Sequence, residues 1–263
     1  MVADNSTADA TASHEPVVPS DTRVRDGATT AVIAFAGVTK RYDTSKELPV
    51  TAVDGVSLAI MPGEFVMVTG RSGSGKTTLL YLVSGLTRPT SGRILLDGAD
   101  IWKMGDADRT RLRNNRIGFV FQFPSLVPAL TVHENVMLPM VFRSGRAESD
   151  PQERAHMLLR TVGLGDKVSC HPRQLSAGQQ QRVVLARSLM NRPEIILADE
   201  PSSNLDEATE QEIMGLFRKV HETTGVTILM VTHTTQLVSW GTRAIEMATG
   251  QVTSDGPVGS REA

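Results

Sequence analysis

The segment Gly70-Arg-Ser-Gly-Ser-Gly-Lys-Thr77 has the residue types and spacing of a loop that wraps around phosphate. Gly70, Gly73 and Gly75 let the backbone pass close to an anion with its N–H groups turned inward. A helix starting near Thr77 would aim its positive end at the same anion. Lys76 would reach the β and γ phosphates of a nucleoside triphosphate, and the Thr77 hydroxyl would ligate Mg²⁺. Ser72, Ser74 and Thr78 are counted with them as nucleotide contacts. A chance glycine loop is the plain alternative, and the apolar run before the loop and the helical pattern after it count against that. The motif alone does not separate kinases, GTPases, helicases and transport ATPases.

A second reactive pair, Asp199-Glu200, stands directly after the apolar run Ile195–Ala198. Buried strands present functional groups at their C-terminal ends, beside the phosphate loop of a neighbouring strand. Asp199 is placed to hold Mg²⁺, directly or through water. Glu200, one residue on, points differently and can orient or deprotonate an attacking water. Two solvated acids opening a loop are the plain alternative, outweighed by the apolar run and the separate phosphate loop.

Positioning these groups requires a sheet. Glu64–Thr69 contains a continuous apolar run that ends in the glycine loop, as a buried strand does. Apolar residues at 79, 80, 82, 83 and 86 make Thr77–Leu86 a helix. Ile117–Phe121, Glu194–Ala198 and Val226–Val231 read as further strands, with a helix over Ala208–Thr223. Ala31–Phe35 and Val56–Ile60 read as short strands flanking a polar loop, Tyr42–Leu48. Between 123 and 185 the texture changes to proline-interrupted apolar residues, then amphipathic helices over Pro151–Val162 and Gln179–Met190. Alternating strands and helices imply a largely parallel α/β sheet with a mainly helical insertion.

Composition narrows the field. The chain has 263 residues and a formal net charge of −2, so it lacks the bulk basic field that holds nucleic acid. Aromatic residues make up 4%, which argues against stacked platforms for bases. No stretch approaches the length of apolar sequence that crosses a membrane. The single cysteine, Cys170, precludes an internal disulfide and a cysteine-rich zinc site, and it suits a reducing cytoplasm. Residues 1–30 carry scattered acids and no basic-then-apolar signal, so they read as a solvated tail. Residues from Ser254 to Ala263 read as a second, fraying tail. His133, His171 and His221 have no partners at ligand spacing.

Leu175-Ser-Ala-Gly-Gln-Gln-Gln-Arg182 resembles the signature of ABC ATPases, usually L-S-G-G-Q. Together with Gly70–Thr78 and Leu197–Glu200 it identifies residues 31–253 as similar to an ABC nucleotide-binding subunit. The resemblance implies a P-loop NTPase (RecA-like) core with an N-terminal antiparallel β subdomain and an inserted helical subdomain at about 123–185. It implies that Tyr42 stacks on adenine and that Gln122 touches Mg²⁺ and the attacking water. Ser203–Asp206 resembles the loop that crosses the dimer interface, with Asp206 as a nucleotide-site residue. His233, at the end of the apolar strand Val226–Val231, resembles the histidine that contacts the γ-phosphate. Ser176, Gly178 and Gln179 stand before a helix whose N-terminus is another anion site. In the family the glycine loop and this signature serve different composite sites. Two chains pack head-to-tail around two ATP molecules, and closure and opening are a ligand-driven population shift.

Short strings narrow the resemblance. Gly118-Phe-Val-Phe-Gln-Phe123, Leu130-Thr-Val-His-Glu-Asn-Val136 and Asn204-Leu-Asp206 are similar to the lipoprotein-releasing, macrolide-exporting and cell-division branch. In that branch the ATPase homodimer drives a separate permease with four transmembrane helices and a large extracytoplasmic domain. The chain would then be cytoplasmic, peripheral on the inner face of the plasma membrane, touching the membrane only through the permease. The surface near Phe123–Pro128 would receive the permease. A soluble ABC ATPase of ribosomes or DNA repair is the alternative, but the chain lacks the tandem domains or long coiled coil usual there. A non-hydrolysing scaffold is a third reading, opposed by Glu200 and His233. The sequence departs from the pattern at Ala177, Ser202-Ser203 and Thr234. At Ala177 an added methyl is harmless if φ is negative and obstructive if it is not.

Overall fold

The computed structural model describes residues 30–43, 49–143 and 150–259. The chain opens with two antiparallel strands, β1 (Ile33–Tyr42) and β2 (Val50–Ile60), with Ile33 opposite Ile60 and Tyr42 opposite Val50. It then enters β3 (Phe65–Thr69), turns through the glycine loop and continues as α1 (Lys76–Val83). β4 (Ser91–Leu96) and the short β5 (Ala99–Asp100) return to the first sheet, whose order is β2-β1-β4-β5. α2 (Asp106–Arg116) leads directly into β6 (Ile117–Val120). Three helices follow: α3 (Val132–Val141), α4 (Pro151–Thr161) and α5 (Ala177–Ser188). The chain re-enters the second sheet at β7 (Ile195–Asp199), and after α6 (Glu207–Thr224) adds β8 (Thr227–Val231). β9 (Arg243–Ala248) and β10 (Gln251–Pro257) close it.

The second sheet runs β10-β9-β3-β8-β7-β6 and is parallel except for β10. Every residue of β3, β7 and β8 is buried, as strands covered on both faces must be. Alternation sorts their side chains between two cores. Phe65, Met67, Ile196, Ala198, Ile228 and Met230 face the core shared with α3–α6. Val66, Val68, Leu197, Leu229 and Val231 face the core shared with α1 and the antiparallel sheet. One sheet therefore serves as the common wall of both cores, and its loop-bearing end is fixed from two sides.

The helical block is built by caps and stripes. Thr131 caps α3 in a reciprocal box with Glu134, and Asp150 caps α4 ahead of Pro151. Ala155, Leu158 and Leu159 of α4 bury the i, i+3, i+4 stripe that an amphipathic helix offers a core. Among the described residues, no helix is long and apolar enough to cross a membrane.

Several boundaries differ from the sequence reading. β1 and β2 are roughly twice as long as the two short strands expected, because register shifts let their polar halves stay paired. Tyr42 therefore ends a strand instead of opening a loop, and residues 44–48 of that loop lie outside the described residues. The helix read as Thr77–Leu86 ends at Val83, where Gly85 at φ 67° turns the chain out. Strand β10 runs through Pro257, so Ser254–Pro257 belong to the sheet and not to a frayed tail. Their alternation of half-buried and exposed polar residues carries no apolar signal. The N-terminal tail read at residues 1–30 lies, up to residue 29, outside the described residues.

Candidate functional site

Strand β3 delivers the glycine loop to the C-terminal end of the parallel sheet. Gly70 has φ 147°, and a Cβ there would lie 2.2 Å from the Met247 carbonyl oxygen. Gly75 has φ 102°, and a Cβ there would lie 2.1 Å from the Ala52 carbonyl oxygen. Both the backbone conformation and the walls of the loop thus demand glycine. Those walls come from β2 and β9, which the sequence motif does not reveal.

Lys76 is buried, and its Nζ donates to the carbonyls of Gly70 at 2.7 Å and Arg71 at 3.1 Å. Burial lowers the ammonium pKa, while Glu200 and Asp199 nearby oppose that shift. Thr77 Oγ1 donates to Asp199 Oδ1 at 3.0 Å, joining the first turn of α1 to the end of β7. Burial raises the Asp199 pKa, the Thr77 hydrogen bond opposes it, Glu200 adds to the rise and Lys76 counters it. Ser74 Oγ is buried without a hydrogen-bond partner inside the loop. Ser72 and Gly73 lie exposed on its rim, and Thr78 is half-buried in α1.

The fit of a Mg²⁺-nucleotide can be judged from these groups. At Gly70 and Gly75 the loop backs so closely on the Met247 and Ala52 carbonyls that no side chain fits, which leaves its backbone bare for an anion. Its ammonium is held by carbonyls that a phosphate oxygen would outcompete. Thr77 and Asp199 present hard oxygen donors side by side, the ligand chemistry Mg²⁺ takes. Orphaned Ser74 Oγ supplies a further polar contact.

Glu200 follows the strand in the left-handed region, at φ 44°, with its N–H donating to the Val231 carbonyl at 3.0 Å. A non-glycine residue held there is strained, and such strain gathers at functional sites. Its Oε2 lies 2.9 Å from His233 Nδ1, which projects beyond the end of β8. Gln122 Nε2 donates to Ser203 Oγ at 3.2 Å, and Ser203 Oγ donates to the Glu200 carbonyl at 3.1 Å. Gln122 and Ser203 therefore reach the main chain of Glu200, whose carboxylate meets His233. The sequence reading placed Ser203 at the start of the interface loop and counted it as a departure from the family pattern. Its hydroxyl is the link between Gln122 and Glu200.

Tyr42 is 37% exposed at the end of β1, opposite Val50, which stands two residues before the Ala52 that walls the loop. Lys40 Nζ stands 4.7 Å from its ring centre.

The signature segment opens α5, and its capping bonds are internal. Ser176 caps α5, accepting from Gln179 N–H at 3.3 Å, while Gln179 Oε1 accepts from Ser176 N–H at 3.0 Å. Neither side chain bonds to the glycine loop of the same chain. Ala177 is the first residue of α5 and its φ is negative, so its methyl causes no backbone strain. Gly178 is buried, and a Cβ there would lie 2.4 Å from the Thr209 methyl of α6. Asp206 caps α6, accepting from Thr209 N–H at 3.0 Å and from Thr209 Oγ1 at 2.7 Å, which holds its carboxyl pKa down. His221, given no role from sequence, bonds the Gly63 carbonyl at 2.8 Å.

Residues 53–203 match the family described as ABC transporter. The chain is 41% identical over 224 residues to a lipoprotein-releasing system ATP-binding protein, LolD 1, of Chlorobium chlorochromatii, covering 85% of this chain and 91% of that protein. It is 43% identical over 222 residues to the macrolide export ATP-binding/permease protein MacB of Syntrophobacter fumaroxidans, covering 84% of this chain and 31% of that longer protein. Among solved structures it resembles the dimeric post-hydrolysis state of the ATP-binding cassette MJ0796 bound to ADP and Pi. That match has a TM-score of 0.79 and 39% identity, and covers 86% of this chain and 98% of the other.

Proposed function

The chain belongs to the ABC transporter family as an ATP-hydrolysing subunit, and from that premise we propose how it works. Two copies close around two ATP molecules. Closure drives a separate permease of the four-helix type with a large extracytoplasmic domain, for export, extraction or transmembrane mechanotransmission. The observation that carries this reading is the convergence of Lys76, Thr77, Asp199, Glu200 and His233 at one end of the parallel sheet. The signature residues Ser176 and Gln179 bond each other and not that cluster, which suits a start of α5 that completes the site of a second copy.

Each group has a role that follows from its position. Lys76 exchanges its loop carbonyls for phosphate oxygens, aided by the N-terminus of α1. Thr77 and Asp199 hold Mg²⁺, which neutralises phosphate charge when bound. Glu200 orients a water and takes up its proton, while His233 fixes the carboxylate and faces the γ-phosphate side. Gln122 reports the state of its own loop to Glu200 through Ser203. Tyr42 offers its open ring face to adenine. Asp206 and the turn before it lie where a second copy would pack.

Support for the permease comes from the relatives, whose names pair ATP binding with lipoprotein release or macrolide export. It also comes from Phe123 and Val127, which are 67% and 40% exposed beside Gln122. An apolar, proline-fixed loop suits docking. The protein would then sit on the cytoplasmic face of the membrane, held there by its partner. The soluble ribosome- or DNA-associated alternative has no such support.

The test is a pull-down of tagged Glu200→Gln protein with ATP from detergent-solubilised membranes, followed by mass spectrometry. Recovery of a four-helix integral membrane protein supports the proposal. Recovery of ribosomal or DNA-bound proteins with no membrane partner contradicts it.

A further inference from the structure

Outside the nucleotide cluster, two imidazoles meet across the helical block. His133 stands in the first turn of α3 and His156 in the second turn of α4. Their ring centres are 4.6 Å apart and their planes tilt by 38°. Both residues are partly buried. His133 Nε2 is buried and bonds nothing. His133 has no partner at ligand spacing in the sequence, and the packing of α4 on α3 supplies one from another helix. A buried polar atom left without a partner is costly, and each such atom in a folded chain asks for a reason. Ring packing alone supplies none, because it leaves the nitrogen unsatisfied.

A metal ion does supply one. An imidazole nitrogen sits about 2.0–2.1 Å from Zn²⁺, which puts the ring centre about 3.2 Å from the ion. Two rings in neighbouring coordination positions, about 90–110° apart, then have centres about 4.5–5.2 Å apart. The separation of His133 and His156 falls in that range. We propose that these two histidines form a site for a late first-row divalent cation of the Zn²⁺, Ni²⁺ and Cu²⁺ class, held between α3 and α4. Imidazole suits these ions, whereas Mg²⁺ takes oxygen ligands, so the site is chemically separate from the Mg²⁺-nucleotide cluster. The neighbouring Glu134 carboxylate is engaged by Thr131. Among the described residues no group of three or more imidazole, thiol and carboxylate side chains is placed to hold a metal. Water therefore fills the remaining positions, and the ion exchanges readily, unlike a structural zinc with four protein ligands.

The ion would clamp α4 to the start of α3, and two segments hang from that start. Val132 N–H donates to the Cys170 carbonyl at 2.8 Å, and His133 N–H to the Val168 carbonyl at 3.1 Å. Those residues lead into the signature at Leu175. Buried Asn135 accepts from Val127 N–H at 2.8 Å and donates to the Leu130 carbonyl at 3.1 Å, which fixes the loop after Gln122. Metal binding therefore stiffens the helical block at the turn both segments share. Its direct readouts are metal affinity and stability, not a chemical step.

The test uses the full chain, freed of metal with a chelator and kept without nucleotide. Zn²⁺ is titrated by isothermal calorimetry into wild type, His133→Gln, His156→Gln and, as a control, His171→Gln. Wild type and His171→Gln should share a binding step, and Zn²⁺ should raise the Tm of both. His133→Gln and His156→Gln should each weaken that step by about tenfold or more, because losing one of two linked ligands loses the chelate. Each should also lose the rise in Tm. Wild type that binds no Zn²⁺, an isotherm unchanged in both variants, or loss of the step in His171→Gln overturns the assignment. Should the variants misfold, pulsed EPR of Cu²⁺ on the unaltered chain decides. Two imidazole nitrogens on one ion support the site, and one or none overturns it. These outcomes do not depend on the permease reading.

Discussion

His233 Nδ1 lies 2.9 Å from Glu200 Oε2, so two residues separated by 33 positions meet beyond the ends of adjacent parallel strands. Strands β7 and β8 are in register from Ile195 and Thr227 to Asp199 and Val231. That register brings the residue after β7 level with the turn after β8. Glu200 is held in the left-handed region to make the meeting possible. The sheet thus fixes where Glu200 stands, and the histidine engages one of its carboxylate oxygens.

Asp199 is a stability cost kept for function. Its carboxyl pKa is raised by burial, so the folded state takes up a proton more readily than the unfolded chain. For such a group, stability falls as pH rises between the unfolded and the folded pKa, and the cost is fully present above the latter. Asp199→Asn should therefore raise the Tm of the nucleotide-free protein at pH 7 and weaken the stabilisation given by Mg²⁺-ATP. Thermal unfolding with and without Mg²⁺-ATP checks both halves.

Gly75→Ala should be destructive for reasons that precede ligand binding. The backbone is at φ 102° and the new methyl would meet the Ala52 carbonyl at 2.1 Å. The strain and the clash together should cost at least about 2 kcal/mol. Urea unfolding of the nucleotide-free protein measures it.

Ala177→Gly should do little. Ala177 opens α5 with negative φ and an exposed side chain, so restoring the family's glycine relieves nothing. The ATPase kcat should change by less than about threefold, since helix propensity at this position is worth under about 1 kcal/mol. A larger gain in a steady-state assay would show that the methyl obstructs the partner copy's nucleotide.

Ser203→Ala removes the one hydroxyl that joins Gln122 to Glu200. The fold should survive, because Ser203 is only half-buried. The turnover rate should fall by about tenfold, the scale of a lost hydrogen bond near a charged group, with nucleotide affinity unchanged. Stopped-flow nucleotide binding beside steady-state turnover separates the two.

What the sequence revealed and what it hid have physical reasons. The glycine loop and the Asp199-Glu200 pair are local in sequence, so their chemistry is legible from spacing alone. Strands β3, β7 and β8 are continuous apolar runs and stand out for the same reason. Helix α2 was missed because it buries no residue; it is held by acids in its first turn and arginines in its last. The hairpin of β4 and β5 was missed although Asp97 and Gly98 both have positive φ, and Asp-Gly is a strong hairpin signal. Thr249 and Gly250 make the corresponding turn between β9 and β10, where β10 is too polar to advertise itself. Relations between distant segments were out of reach. Nothing in the spacing says that Ala52 and Met247 wall the loop, or that Ser203 bridges Gln122 to Glu200.

The central claim is that Glu200 drives hydrolysis in a site that two copies close around ATP. The most direct measurement is single-turnover hydrolysis by wild-type and Glu200→Gln protein, with the mass of each followed by light scattering in Mg²⁺-ATP. The Glu200→Gln rate should fall by about 10²–10⁴-fold, the scale of a lost general base, and that variant should accumulate as an ATP-dependent dimer. A variant that hydrolyses ATP at the wild-type rate, or one that binds ATP and stays monomeric, would contradict the account.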